Sequence, residues 1–192
     1  MLYKYRSLDG FKFLSDIFIN QRLYAASYFD LNDPMEGHYR YSDGRLTDDL
    51  IKKIKDEKER KLKICSLSRD PNNELMWAHY ANGHRGVVIG VEIDNQKYDV
   101  RPIEYDGPSY VRMAHQNGHL ETAMRILSHK LDVWHYEEEE RVFVRGENYV
   151  HAQIKQVIFG RRMSNQDKSL VKKLVQAVSP DTEILTSRAS PV

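Results

Sequence analysis

A near-continuous apolar run, residues 86–93, constrains the fold of this chain more than any other segment. It reads Gly-Val-Val-Ile-Gly-Val-Glu-Ile and is rich in β-branched side chains, which favour strands. A half-exposed strand alternates apolar and polar residues, and this run does not. We therefore predict a strand that is buried on both faces.

With the other segments that show hydrophobic periodicity, the chain is predicted to contain about seven strands and about five helices, which do not alternate regularly. The other predicted strands cover residues 2–6, 23–29, 64–68, 98–105, 134–144 and 154–159, and residues 182–186 can add a last one. Predicted helices cover residues 10–20, 47–62, 74–82, 119–131 and 164–177. No segment repeats, and no Gly-, Ser- or Pro-rich linker divides the chain. These features favour one α+β domain over residues 1–192, with 181–192 as a strand and a frayed tail.

Capping residues set several of the predicted helix ends. Asp9, Thr47 and Ser164 each precede a predicted helix, and their side chains can accept hydrogen bonds from its first free N–H groups. Ser164 is followed three residues later by Asp167, which resembles a capping box. Gly83 follows the third helix as a left-handed stop.

Composition excludes some classes of protein. Lys and Arg total 29 against 28 Asp and Glu, a net charge of +1, so overall charge does not drive nucleic-acid binding, although a local basic patch remains allowed. The single cysteine, Cys65, lies in a short apolar run, which favours a buried structural thiol over a nucleophile. Residues 1–6 lack the apolar stretch of a signal peptide, and no apolar run approaches the roughly 18 residues of a membrane span. We therefore expect a soluble cytoplasmic protein.

The segment 134–143 (Trp-His-Tyr-Glu-Glu-Glu-Glu-Arg-Val-Phe) is the most unusual in the chain. If it is extended, period two places on one face His135, Glu137, Glu139, Arg141 and Phe143. Adjacent carboxylates repel one another and oppose strand propensity, and such local conflicts often mark a site. Two carboxylates two residues apart can orient a hydroxyl and stabilise positive charge on a sugar carbon. The alternative is an edge strand protected by charge, or Glu–Arg pairing across strands.

The helix predicted over residues 74–82 carries one aromatic face. Trp77 and Tyr80 are three residues apart and Met76 and Tyr80 four apart, so they share a side of the helix. This stripe favours packing against a core over a ring-stacking wall, and both interpretations remain open. His79 is offset from the stripe, which is more typical of a structural histidine than of a general base.

Two weaker features are polar. Lys4 and Arg6 share one face of the first strand, where a guanidinium can meet a phosphate pair bidentately. The loop over residues 31–37 is dense in turn formers, and within it Asn32, Asp33 and Glu36 can hold ribose hydroxyls if the loop borders a cleft.

Familiar catalytic motifs do not occur in the sequence. The chain has no GxxxxGK[ST] phosphate loop, no GxGxxG, no HExxH and no GxSxG. His115 and His119 have helical spacing, but Asn-Gly between them argues against a helix, so we expect no metal site there.

Five blocks together resemble, in order, the bacterial family called domain of unknown function 2971. The likeness extends to residues 158–160 and so spans residues 2–160. The blocks are Leu2-Tyr3-Lys4-Tyr5-Arg6, Asn32-Asp33-Pro34-Met35-Glu36, Met76-Trp77-Ala78-His79-Tyr80, His84-Arg85-Gly86-Val87-Val88-Ile89-Gly90, and Lys130 with Trp134-His135-Tyr136-Glu137-Glu138-Glu139-Glu140-Arg141.

More distantly, the chain resembles the ADP-ribosyltransferase superfamily. That resemblance implies split β-sheets around an NAD cleft with flanking helices. It implies that Lys4 or Arg6 holds the cofactor, that Tyr80 or Trp77 stacks on nicotinamide, and that Glu139 or Glu137 is the catalytic acid. The implied cofactor-binding set is Lys4, Tyr5, Arg6, Asn32, Asp33, Trp77, His79 and Tyr80.

The resemblance implies an NAD-dependent ADP-ribosyltransferase that acts as a bacterial toxin or anti-phage effector. Its acceptor is a nucleic acid or a protein, and an antitoxin or immunity protein is a potential partner. Two other functions stay open: a non-catalytic module that binds a nucleotide or a partner, and a metal-dependent nuclease that uses the acidic strand.

Overall fold

A mostly antiparallel β-sheet forms the framework of the chain. The computed structural model describes residues 1–33, 35–42, 46–111 and 118–187. Its strands are β1 (Leu2–Arg6), β2 (Arg22–Tyr24), β3 (Ala26–Ser27), β4 (Tyr39–Arg40), β5 (Leu62–Ser68), β6 (Val87–Ile93), β7 (Asp99–Pro102), β8 (Ser109–Tyr110), β9 (Glu139–Arg145), β10 (Tyr149–Phe159) and β11 (Glu183–Thr186). Its α-helices are α1 (Phe11–Asn20), α2 (Asp48–Asp56), α3 (Glu74–Tyr80), α4 (Gly118–Ile126) and α5 (Asn165–Val178).

The main sheet has the strand order β11-β10-β6-β1-β5-β9-β7, with β2 paired to β10 and β3 paired to β5. Among the described strands of this sheet, only the pair β10 and β11 runs parallel. A separate parallel pair joins β4 and β8. The chain is thus a single α+β domain, as predicted, and none of its described helices is long and apolar enough to cross a membrane.

Strand β6 lies inside the sheet and is buried on both faces, which confirms the prediction from its sequence. Val87, Ile89 and Val91 pack into a core that also contains the apolar sides of α1 and α5. Val88 faces the opposite side, where Trp77 of α3 packs. Each fully buried side chain of this kind stabilises the fold by roughly 1.5–3 kcal/mol.

The sheet is joined weakly between β1 and β5. Strand β1 pairs with β6 over all five of its residues, yet its register with β5 contains only Tyr3 opposite Ser68. On its other side β5 pairs with β9 over seven residues. The side chain of Lys4 reaches across this junction, where its Nζ donates to the carbonyl oxygen of Ser66 over 2.7 Å. A cleft also lies at this junction.

One glycine fixes how closely β1 approaches the start of β6. A Cβ atom on Gly86 would lie 2.1 Å from the carbonyl oxygen of Arg6, so no other residue fits there without a shift of the backbone. The close approach sets the position of Arg6 at the end of β1.

The prediction of a strand over residues 134–144 is wrong for the first half of this segment. Asp132–Glu137 form a 3₁₀ turn, Glu138 takes a left-handed conformation with φ of 43°, and only then does β9 begin at Glu139. Four carboxylates in succession favour this break, because a turn separates side chains that a strand would hold close together. The period-two prediction therefore fails for His135 and Glu137. It holds for the part within β9, whose alternate residues Glu139, Arg141 and Phe143 are all buried.

Other predicted elements are shorter than expected. The strand predicted over 23–29 divides into β2, β3 and a 3₁₀ turn at Tyr28–Asp30, and the strand over 98–105 ends at its proline, which has no N–H for a ladder. The helix over 47–62 ends at Asp56, and a π-helical turn, Glu57–Lys61, leads into β5.

Helix caps were predicted with mixed success. Thr47 and Ser164 are the N-caps of α2 and α5, and their side chains accept hydrogen bonds from backbone N–H groups, as predicted. Asp9 is not a cap, because α1 begins one residue later, after Gly10, without a side-chain bond. Gly83 has the predicted positive φ. Cys65 is buried, as expected, whereas the tail over 188–192 lies outside the described residues.

Candidate active site

A cleft of about 1010 Å³ opens between β1, β5, α1 and α3. Its volume is at the upper end of the roughly 300–1,000 Å³ that small-molecule and cofactor sites occupy, so it can hold a large ligand. Most residues predicted to form a site line this single cleft: Lys4, Tyr5, Arg6, Asn32, His79, Tyr80, Glu137 and Glu139. The remaining two, Asp33 and Trp77, do not line it.

The cationic wall of the cleft comes from β1. Burial lowers the pKa of Lys4 and, separately, that of Arg6. Lys4 is held by the carbonyl of Ser66, whereas the buried Nε of Arg6 finds no acceptor within the described residues. An uncompensated guanidinium N–H in a cleft favours an anion, most of all one with several oxygens.

The acidic wall belongs to a group that we call the buried ion cluster. It consists of Glu36, Lys130, Glu137, Glu139 and Arg141, and all five residues are less than 10% exposed. Lys130 Nζ lies 2.5 Å from Glu137 Oε2, 2.7 Å from Glu139 Oε2 and 3.5 Å from Glu36 Oε1. Arg141 Nε lies 2.8 Å from Glu139 Oε1, and its guanidinium also pairs with Glu36. Three acids and two bases thus share one interior site.

Charges in this cluster depend on one another. Burial raises the pKa of Glu139, and Lys130 opposes that rise. Burial acts to lower the pKa of Lys130, but the carboxylates of Glu139 and Glu137 outweigh it and raise the pKa. Lys130 therefore stays protonated at neutral pH and holds the two acids at fixed positions.

Tyr80 connects the cluster to helix α3. Its hydroxyl donates a hydrogen bond of 2.6 Å to Glu137 Oε1, and the ring lines the cleft in a half-buried position. Burial and the hydrogen bond to Glu137 both raise the pKa of Tyr80, and the Asn32 side chain opposes this. His79 is exposed at the rim, with its ring 6.2 Å from that of Tyr80.

Asn73 fixes α3 against the acidic wall. Its side-chain oxygen accepts hydrogen bonds from the N–H groups of Leu75 and Met76, which caps the helix, and its amide nitrogen donates to the Tyr136 carbonyl over 3.0 Å. One side chain therefore both begins α3 and ties it to the turn that carries Glu137. This explains how Tyr80 and Glu137, far apart in sequence, come into contact.

Trp77 packs in the core behind the cleft. It is fully buried, its ring is stacked on His84 at 4.7 Å, and the ring of Tyr5 meets it edge-on at 5.5 Å. The indole N–H donates to the carbonyl of Pro71. Trp77 therefore cannot contact a ligand in the cleft, which corrects its prediction as a ring-stacking residue and leaves Tyr80 for that part.

The polar residues of the loop over 31–37 also differ in whether they line the cleft. Asn32 lines the cleft beside Tyr80. Asp33 is buried away from the cleft, and its Oδ1 accepts a hydrogen bond from the N–H of Met35 over 2.9 Å. Asp33 therefore stabilises the turn and does not line the cleft, and its part in cofactor binding stays a prediction. Glu36 was predicted only as a polar loop residue, and the structure makes it a member of the buried ion cluster.

Sequence reasoning missed the roles of Lys130 and Arg141. Both belong to the quoted blocks, and Arg141 was predicted to share a face with Glu139, but no pattern assigned them to a site. Their signal is indirect: buried carboxylates need buried cations, and Lys130 precedes the acidic row while Arg141 follows it directly.

The acidic row does not gather its carboxylates in one place. Glu137 and Glu139 bind cations of the cluster, Glu140 pairs with Arg69 at the surface, and Glu138 is exposed. Among the residues that the structure describes, none of these four belongs to a group of three potential metal ligands.

A second ion cluster holds α3 from its outer side. Glu74 accepts two hydrogen bonds from Arg161, of 2.7 and 2.8 Å, and lies 2.8 Å from His84 Nε2. Hydrogen bonds from Arg161 and then from His84 lower the pKa of Glu74 from 4.5 to about 2.

This shift predicts a pH-dependent contribution of Glu74 to stability. Because the pKa of Glu74 is lower in the folded state, its contribution is present above pH 4.5 and is lost as the pH falls to about 2. We expect Glu74→Gln to lower the melting temperature at pH 6. The difference in melting temperature between this variant and the unaltered protein should become smaller as the pH falls from 4.5 to about 2. Thermal melts from pH 6 to pH 2 measure this. Glu147→Gln, at an exposed site outside both clusters, serves as the control, and equal profiles for the two variants would contradict the assignment.

Comparisons of this chain with protein-family models, with curated proteins and with solved structures find no match.

Proposed function

We propose that this protein is an NAD-dependent ADP-ribosyltransferase. The observation that carries the proposal is the meeting of three unlike groups around one cleft: the guanidinium of Arg6, whose Nε has no acceptor among the described residues, the ring of Tyr80 and the carboxylate of Glu137. They come from the beginning, the middle and the last third of the chain. The likeness to the domain of unknown function 2971 and to the ADP-ribosyltransferase superfamily remains part of the proposal.

Arg6 and Lys4 bind the pyrophosphate in this proposal. A pyrophosphate supplies anionic oxygens in pairs, which suits a guanidinium with an unsatisfied N–H. The weak β1–β5 junction supports this, because it leaves an opening beside Arg6 where a closed sheet would have a ladder.

Tyr80 provides the surface for the nicotinamide ring. A flat aromatic ligand stacks favourably on an aromatic side chain, and the Tyr80 hydroxyl is already occupied by Glu137, which holds the ring in one orientation. Tyr24 and Tyr149 also line the cleft and meet edge to face at 5.9 Å, and since the Arg22 guanidinium covers one face of Tyr149, we assign the ring of Tyr24 to the adenine.

Glu137 is the catalytic acid that the geometry favours over Glu139. Glu137 contacts Tyr80, the residue assigned to nicotinamide, and so lies beside the expected position of the reacting sugar carbon. Glu139 is held from the other side by Arg141, and the Tyr105 hydroxyl accepts a hydrogen bond from its backbone N–H. We assign to Glu139 the role of a positioning residue.

The reaction is a group transfer at the ribose. The bond between the ribose C1′ and the nicotinamide nitrogen breaks, and its electron pair leaves with neutral nicotinamide. An acceptor oxygen or nitrogen forms the new bond to C1′ and releases its proton to solvent. The Glu137 carboxylate stabilises the positive charge that develops on the sugar, which is greater in the transition state than in the ground state.

The biological setting follows from the resemblance alone. We propose a cytoplasmic toxin or anti-phage effector that modifies a nucleic acid or a protein, with an antitoxin or immunity protein as a potential partner. A non-catalytic nucleotide-binding module is the second candidate, since the same cleft can bind without reacting. A metal-dependent nuclease is less favoured because, among the described residues, neither Glu137 nor Glu139 belongs to a group of three potential metal ligands.

The test is nicotinamide release from NAD, measured with and without bacterial RNA, DNA and lysate protein, each with and without a chelator. An ADP-ribosyltransferase releases nicotinamide whether or not the chelator is present. A binding module binds NAD without releasing nicotinamide. A nuclease degrades the nucleic acid only in the absence of chelator.

Arg6→Gln is expected to weaken NAD binding by about 10-fold or more, because a charge-assisted hydrogen bond contributes about 1.5–3 kcal/mol. Isothermal titration with NAD measures the change. Arg125→Gln is the matched control, since Arg125 is exposed on α4 and lies outside the cleft. Equal affinities for the two variants would remove the anion-binding role from Arg6.

A further inference from the structure

A second polar site lies outside the cleft, where two backbone segments run side by side. Glu104 and His129 form a parallel β-bridge. The Glu104 N–H donates to the Ser128 carbonyl over 2.8 Å, and the Lys130 N–H donates to the Glu104 carbonyl over 3.0 Å. These bonds hold the side chains of Glu104, Asp106 and His129 close together, and none of the three lines the cleft.

His129 is oriented by a carboxylate. Its side chain is 5% exposed, and its Nδ1 lies 2.7 Å from Asp106 Oδ1. An ionised carboxylate can only accept, so Nδ1 carries the proton in this bond and Nε2 is left with a free lone pair when the ring is neutral.

The buried Nε2 of His129 is unsatisfied. Within the described part of the chain it has no hydrogen-bond partner. Its nearest acidic neighbour, Glu104 Oε2, is 3.9 Å away, which is too long for a hydrogen bond. A buried imidazole nitrogen without a partner carries a free-energy cost unless something binds it.

A divalent transition metal fits between these two atoms. At the tetrahedral angle, a metal–nitrogen bond of about 2.0–2.1 Å and a metal–oxygen bond of about 2.0–2.2 Å place the two ligand atoms about 3.3–3.5 Å apart, so binding needs the Glu104 carboxylate to approach Nε2 by about half an ångström from the observed 3.9 Å. Potential ligand atoms of Glu104, Asp106 and His129 all lie within 4.8 Å of one another. A carboxylate that accepts from the far nitrogen of a metal-binding histidine is the usual outer partner of such sites, and Asp106 has that position.

We propose that His129 Nε2 and Glu104 bind a divalent transition metal of the Zn²⁺ class, with Asp106 orienting the imidazole. Imidazole and carboxylate ligands suit Zn²⁺ and its neighbours, whereas Mg²⁺ prefers oxygen ligands alone. Glu104 is 60% exposed, so its side chain can close on the ion and water can complete the coordination.

The metal would act on the segment that carries Lys130. His129 directly precedes Lys130, the cation that holds Glu137 and Glu139 in the buried ion cluster. A metal that ties His129 to Glu104 therefore stabilises one wall of the cleft from outside it. This proposal does not depend on the reaction assigned to the cleft.

Titration calorimetry of the full chain with Zn²⁺, after removal of metals by a chelator, tests the proposal. We expect one ion per chain, and a loss of affinity of about 10–100-fold in Asp106→Asn, the change of an outer partner. Losses at least as large are expected in Glu104→Gln and His129→Gln. The exposed His135, changed to Gln, is the control and should bind as the unaltered protein does.

Co²⁺ provides a second measurement, because its visible absorption reports coordination by nitrogen and oxygen ligands. If His129→Gln fails to fold, Glu104→Gln at an exposed position still decides the question. The proposal is overturned if no Zn²⁺ binds at one ion per chain, or if binding is the same in Glu104→Gln and in the His135→Gln control.

Discussion

Glu137→Gln is expected to reduce the rate of nicotinamide release by about 100–1,000-fold, the usual effect of removing one group that stabilises charge in a transition state. Gln keeps the size of the side chain and can still accept a hydrogen bond from Tyr80, but it carries no negative charge to oppose the positive charge on the ribose. The KM for NAD should change little, because the lost interaction is made mainly in the transition state.

Glu138→Gln is the matched control, one residue further along the chain. Glu138 is exposed and does not line the cleft, so its loss of charge should leave the rate unchanged. Kinetics of nicotinamide release together with a thermal melt of each variant separate chemistry from folding. A normal rate in a folded Glu137→Gln protein would remove Glu137 from the mechanism.

Arg141→Met is expected to destabilise the protein by about 3–5 kcal/mol, the largest effect on stability that we predict. Removing one partner of a buried ion pair leaves the others with uncompensated charge, and the cost is typically of this size. Arg141 is fully buried and pairs with Glu36 and Glu139. Met retains the unbranched stem of the side chain but not the guanidinium, so the loss includes the unpaired charges, the hydrogen bond to the Leu127 carbonyl and the volume that the guanidinium filled.

Urea denaturation measures this loss, with Arg69→Met as the comparison. Arg69 also pairs with a glutamate, Glu140, but its side chain is 53% exposed, so removing it should cost no more than about 1 kcal/mol. The double variant Arg141→Met, Glu139→Gln should recover part of the loss, because it removes both members of one pair. Similar losses in Arg141→Met and Arg69→Met would show that the buried ion cluster does not stabilise the fold.

Much of the fold follows from local signals. Strand β6 was predicted because a run of apolar β-branched residues has no solvent-compatible face, and the caps at Thr47 and Ser164 because hydroxyl side chains satisfy free N–H groups. The break at residues 134–138 was not predicted. Hydrophobic periodicity assigns side chains to the two faces of a strand. It does not include the repulsion among four adjacent carboxylates, which favours a turn.

The candidate site was predicted in part. Lys4, Arg6 and Tyr80 carry recognisable chemistry in the sequence and do line the cleft. Trp77 carries similar chemistry but is buried. Trp77 and Tyr80 are three residues apart on α3, and their spacing does not show which ring faces the core and which faces the cleft.

The sequence by itself determined most of the longer strands and helices and which residue types are available for chemistry, because those depend mainly on neighbours within a few positions. Only the tertiary structure decided that Arg6, Tyr80 and Glu137 share a cleft, because the order of strands β6-β1-β5-β9 brings distant segments together. It also decided that Glu139 faces Arg141 and Lys130. Buried charges require partners, and which partners they have depends on how the sheet and the turn before β9 pack together.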